Sequence, residues 1–159
     1  MLILVLALAM SLSSSACRSD NSITSNAPPE IPAELSTEQA NRMKINIKVG
    51  NEVVTATLID SKTTQDFISL LPLTLTLKDH ANIEKVSNLP RRLSTEDAPP
   101  GSDPAVGDIA YYAPLGNLVM YYNDFGYSNG VVILGKIDGD IDAFNVPGSV
   151  EVTIELQPH

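Results

Sequence analysis

From Met43 onward apolar and polar residues alternate along most of the chain, a period of two that predicts strands. Met43, Ile45, Ile47 and Val49 form the first apolar row. The "GN" at 50–51 is a turn signal, and Val54, Ala56 and Leu58 alternate on the return, so this segment predicts a hairpin. In "SKTTQDFISLLP" the spacing changes. Ser61 can cap a helix, Phe67, Leu70 and Leu71 share one helical face, and Pro72 ends it. Leu73, Leu75 and Leu77 restore the alternation and lead to a charged turn at Lys78-Asp79-His80.

Residues 88–107 are rich in Pro, Ser, Asp and Gly and predict a loop long enough to be functional or to cover the domain. Asp108–Tyr112 and Leu118–Tyr122 predict strands around "PLGN", and Val131–Leu134 predicts an apolar strand. "DGDIDAF" reads as a turn or short helix. Ser149–Leu156 closes the chain as a strand with Val150, Val152, Ile154 and Leu156 on one side. About eight short strands with one modest helix predict a mainly β fold, a small closed or nearly closed barrel.

Four tyrosines flank the "PLGN" turn. Pairing that hairpin with Tyr112 opposite Val119 and Tyr111 opposite Met120 puts Ile109, Tyr111, Leu118, Met120 and Tyr122 on one face. Ala110, Tyr112, Val119 and Tyr121 fall on the other. Only one face can line a barrel interior. The second is also apolar and aromatic and needs a cover: the 88–107 loop, the helix, or a ligand.

The first residues follow a different pattern. "MLILVLALAMSLSSSAC" is an apolar run too short to span a bilayer, followed by small residues ending at Cys17. It fits the h-region of a signal peptide over 1–16, with Cys17 as the lipid-attachment residue of a bacterial lipoprotein. Ser stands where the cleavage motif usually has Leu. No Lys or Arg precedes the apolar run, which fits a true start further upstream. Ordinary secretion, with Cys17 a free thiol, is the alternative. Residues 17–42 are dominated by Ser, Asn, Pro and Glu and predict a flexible linker, with a helical turn at Ser36–Asn41. The barrel domain is then 43–159, and the expected location is the cell envelope, membrane-anchored or else soluble outside the cytoplasm.

Charge and composition narrow the chemistry. A net charge of −9 over 159 residues excludes a phosphate-binding nucleic-acid surface, and Arg91-Arg92 is the only adjacent basic pair. One cysteine allows no internal disulfide, and His80 and His159 with no second thiol make no zinc set. Asp138, Asp140 and Asp142 lack the spacing of a calcium loop and read as a solvated acidic turn. No cofactor is expected. No serine has a convincing histidine partner, because His80 falls in the charged turn. "GYSNG" reads as a turn, not a phosphate loop.

"INIKVGNEVVTATLIDSKTTQDFISLLP" resembles the opening of cyclophilins. The stretch "LPRRLSTEDAPPGSDPAVGDIAYYAPLGNLVMYYNDFGYSNGVVILGKIDG" resembles the bacterial cyclophilin-like family of small proteins of unassigned function, the likeness covering about Met43 to Phe144. It implies a closed eight-stranded cyclophilin-type barrel with one or two short helices, whose ligand groove lies on the outer surface. The isomerase motifs of cyclophilins (Phe-His-Arg, Gln-Gly-Gly and Gly-Ser-Gln-Phe-Phe) are missing, and the chain has no Trp. The expected protein is therefore an exported, lipid-anchored, non-catalytic domain that binds a peptide segment or small ligand. Arg91, Arg92, Tyr112, Tyr121 and Phe125 are its candidate contacts. A divergent prolyl isomerase using Arg91 or Arg92 is the alternative, and a structural module without a small-molecule site is a third reading.

Overall fold

A computed structural model describes residues 43–158. The expected signal peptide, the expected lipidation of Cys17 and the expected linker fall on residues 1–42, outside the described residues. Among the described residues ten strands and one helix follow in order: β1 (Lys44–Val49), β2 (Glu52–Leu58), α1 (Lys62–Ile68), β3 (Leu73–His80), β4 (Glu84–Asn88), β5 (Gly101–Ser102), β6 (Asp108–Tyr112), β7 (Asn117–Tyr121), β8 (Ser128–Asn129), β9 (Val131–Ile137) and β10 (Ser149–Leu156). Eight of them close an antiparallel barrel in the order β1-β10-β3-β4-β7-β6-β9-β2, and β5 pairs with β8 in a separate ribbon. Closure leaves the barrel no open edge, which removes the usual site of strand-to-strand aggregation.

The alternation read from the sequence places the core. Ile45, Ile47, Leu77, Ile109, Leu118, Met120 and Ile154 all point inward and are fully buried. Burial of this kind contributes roughly 25 cal/mol per Å² of apolar surface. In β10, Val152 and Ile154 are buried, but Leu156 at the strand end is exposed. Helix α1 covers one side of this core with buried Phe67, and the Ser61 hydroxyl caps it by accepting from the Thr64 amide. The β6–β9 ladder slips between Ile109 and Ala110, leaving Leu134 without a cross-strand partner there. On the other side of β9 the Leu134 carbonyl accepts from the Ile59 amide at 2.8 Å, just past the end of β2, and from the Thr64 hydroxyl at 3.4 Å, which ties α1 to the barrel. One residue further on, a Cβ at Gly135 would stand 2.4 Å from the Thr57 carbonyl oxygen, so the β2–β9 seam needs glycine.

Three expectations are corrected. Lys78, Asp79 and His80 continue β3, and the reversal falls on Ala81 and Asn82, both at positive φ. The strand that follows, β4, was not predicted, because "EKVSN" carries a charge at its inward position. Lys85 is fully buried, and its ammonium donates to the carbonyls of Val146 and of Gly148 (2.9 Å), with Asp79 Oδ2 at 3.6 Å. Tyr122 donates its hydroxyl to Asp79, and the Lys85 ammonium lies 5.7 Å from the centre of its ring. Burial, with Asp79 beside it, pushes the Tyr122 phenol up to about 12. The third correction is the β6–β7 register: Tyr111 faces Leu118 and Tyr112 faces Asn117. The Gly116 amide donates to the Tyr112 carbonyl at 2.9 Å with Gly116 at φ 77°, which shortens the loop to Ala113–Gly116. Because the slip is two residues, every side chain keeps the face the sequence predicted.

Candidate ligand groove on the outer face of the barrel

The two faces of the β6–β7 hairpin have separate roles. Inward, Tyr111 is 1 % exposed, and its hydroxyl accepts from the Leu93 amide at 3.1 Å, so it belongs to the core. Outward, Ala110, Val119, Tyr121 and Val131 form a second apolar cluster, with Tyr112, Val86, Ile83 and Ile133 packed around it.

The chain itself covers part of this outer face, using a segment other than the helix. After β7 the residues Asn123–Gly130 fold back, and the Phe125 ring lies 6.2 Å from that of Tyr121, tilted by 31°. Tyr121 is thereby 2 % exposed, while Phe125 is 50 % exposed. The 88–107 loop contributes through β5, which zips to β8 with Gly101 opposite Asn129 and Ser102 opposite Ser128. A Cβ at Gly101 would come within 2.4 Å of the Ser128 carbonyl oxygen, so the close approach of this ribbon requires glycine. Two hollows border the ribbon. The larger, about 480 Å³, has Ile59, Lys62, Pro99, Ser102 and Ile133 in its walls. The smaller, about 170 Å³, is enclosed by Tyr112, Tyr121 and Phe125 over Val119 and Val131, with Glu84, His80 and Ser128 completing it.

Strand register sets the polar side of the smaller hollow. His80, Glu84 and Tyr121 are successive cross-strand partners on β3, β4 and β7. Burial pushes the Glu84 carboxyl up, against the smaller opposing pulls of the Tyr121 hydroxyl and His80. Burial, and then the neighbouring Glu84, push the Tyr121 phenol well above its ordinary value.

Of the five candidate contacts, the structure brings Tyr112, Tyr121 and Phe125 together here. The two arginines lie elsewhere and are engaged within the chain. Arg91 forks onto the Asp66 carboxylate and also reaches the Ser69 hydroxyl at 2.7 Å. Arg92 donates to the carbonyls of Ala113 at 2.6 Å and Pro114 at 3.1 Å, holding the β6–β7 turn. Glu84, Ser128 and Val131 were not expected at the site. Glu84 sits on the one barrel strand that the alternation did not reveal.

The Arg91 fork has its own measurable consequence. Arg91, together with the Ser94 amide donating at 2.7 Å, lowers the Asp66 carboxyl from 3.8 to about 2. A carboxyl lowered on folding stabilises the fold above its unfolded pKa, and that contribution fades as pH falls through the folded value. Urea midpoints should therefore drop between about pH 4 and 2, and Asp66→Asn should flatten part of that drop. An unchanged slope in Asp66→Asn would show that the fork contributes nothing to acid stability.

Among the described residues no group of His, Cys, Asp and Glu could hold a metal ion, and no helix is long and apolar enough to cross a membrane. A family model described as "Cyclophilin-like family" matches residues 47–155. The solution structure of the hypothetical protein AF2241 from Archaeoglobus fulgidus is similar, with a TM-score of 0.54 and 17 % identity over 76 % of this chain and 98 % of that one. At that identity the likeness shows a common fold alone. No curated protein matches the sequence.

Proposed function

The chain belongs to the cyclophilin-like family, and from that premise we propose an exported, lipid-anchored domain that binds a peptide segment or small ligand on the outside of its barrel, without isomerase catalysis. The observation that carries the binding reading is the hollow on the outer face, where three aromatic rings meet a half-buried carboxylate. A prolyl isomerase needs a guanidinium near the proline nitrogen, and neither Arg91 nor Arg92 lines this hollow. Export and anchoring rest on the apolar run and the small residues before Cys17.

Two experiments test the parts separately. Titrating the isotopically labelled chain with short peptides and small organic solutes should shift the resonances of Tyr112, Phe125 and Val131 while those of Arg91 stay put. A site that no such compound perturbs would overturn the binding reading. A protease-coupled isomerase assay should read background. Turnover lost in folded Arg91→Ala or Arg92→Ala protein would replace our reading with that of a divergent envelope isomerase.

The anchor is tested in a bacterial host. Wild-type protein should partition into detergent, and Cys17→Ser should release it or leave an uncut precursor. Wild-type protein found wholly in the soluble exported fraction would remove the lipid anchor.

A further inference from the structure

Resting on that groove reading, we propose that the hollow between Tyr112, Tyr121, Phe125 and Glu84 takes a compact organic cation, an alkylated ammonium head group.

Size is the first argument. The hollow encloses about 170 Å³, below the roughly 300–1,000 Å³ of sites for drug-sized ligands, so it suits a head group of a few heavy atoms.

Wall chemistry is the second. The negative faces of aromatic rings attract cations, and softly hydrated alkylammonium groups lose little on leaving water for such walls. Phe125 and Tyr121 form adjacent walls with ring centres 6.2 Å apart, Tyr112 stands beside them, and Val119 and Val131 supply an apolar floor for methyl groups.

Charge is the third. Glu84 is half-buried, and among the described residues it has no Lys or Arg partner. Lys85, its neighbour on β4, turns its ammonium away to the carbonyl of Gly148 at one end of the barrel. No Lys or Arg lines the hollow, and His80 is the only lining group able to turn cationic. An anion would meet that carboxylate with only His80 beside it to compensate. A neutral ligand would bury that carboxylate further without pairing it, whereas a cation satisfies it.

The decisive comparison uses choline and 3,3-dimethylbutan-1-ol, which share a shape and differ in charge. Calorimetry and ring-resonance shifts on the full chain should show choline binding about tenfold or more tightly than the neutral alcohol. Glu84→Gln should weaken choline about tenfold. Phe125→Ala, at an exposed position where folding is safe, should weaken it severalfold. A trimethyllysine peptide serves as a second source of the head group. If it binds more tightly than choline, the head is carried on a polypeptide, and equal binding points to a free solute. Both results keep the proposed class. Equal affinity for choline and its neutral isostere, or choline binding indifferent to Glu84→Gln, would overturn the cation. If uncharged peptides shift Tyr112 and Phe125 while no cation does, this inference fails and the groove reading stands. Silence from every compound sinks both.

Discussion

Lys85→Met is expected to destabilise the barrel by about 2–4 kcal/mol while leaving the outer hollow intact. The substitution keeps the length and apolar volume of the stem, so the loss isolates the ammonium. That ammonium ties three things together at one end of the barrel: the Val146 and Gly148 carbonyls, the Asp79 carboxylate and the ring of Tyr122. Removing it leaves the Val146 carbonyl without its donor, the Gly148 carbonyl with the Asp79 amide alone at 3.2 Å, and the Asp79 carboxylate with Tyr122 alone. Asp79 keeps 23 % of its side chain exposed, so water recovers part of the loss, and the cost falls below the roughly 3–5 kcal/mol of breaking a fully buried pair. Chemical unfolding reads the effect directly. A loss under about 0.5 kcal/mol, the range of ordinary surface changes, would mean that the 145–148 segment is held by something other than Lys85.

The same residue explains why part of the fold was hard to see in the sequence. Strands such as β1 and β10 were legible because their inward positions are apolar: Ile45 and Ile47, Val152 and Ile154. Strand β4 puts Lys85 inward, and a buried lysine reads as a solvated one until its partners, 61 and 63 residues away, are known. The charged tail of β3 was lost for the same reason, since Asp79 finds Tyr122 at a separation of 43 residues. Hidden with β4 was Glu84, the carboxylate of the proposed cation site. The aromatic half of that site was legible because alternation separates Tyr112 and Tyr121 from Tyr111. What alternation could not supply was the cover, since the return of Phe125 onto Tyr121 depends on β8 finding β5.

Tyr111→Ala should be the most damaging single change in the hairpin, by about 3–5 kcal/mol, enough to threaten folding altogether. Its ring fills the barrel core, and its hydroxyl accepts from the Leu93 amide, so the truncation opens a cavity and orphans a buried donor. Tyr111→Phe separates the two terms and should cost only about 1 kcal/mol. The comparison that carries functional weight is Tyr121→Ala on the opposite face. Had that face been an open groove, the change would be mild. With Tyr121 2 % exposed beneath Phe125, it should instead cost about 2–4 kcal/mol, less than Tyr111 because Phe125 and its loop can settle into the space. Phe125→Ala, by contrast, should stay within about 1 kcal/mol, since half of its ring already meets water. Thermal or urea unfolding of the four variants gives the order Tyr111→Ala, Tyr121→Ala, then the two mild ones. If Phe125→Ala proved as costly as Tyr121→Ala, the ring would be a structural plug first, and ligand entry to the hollow would require it to move.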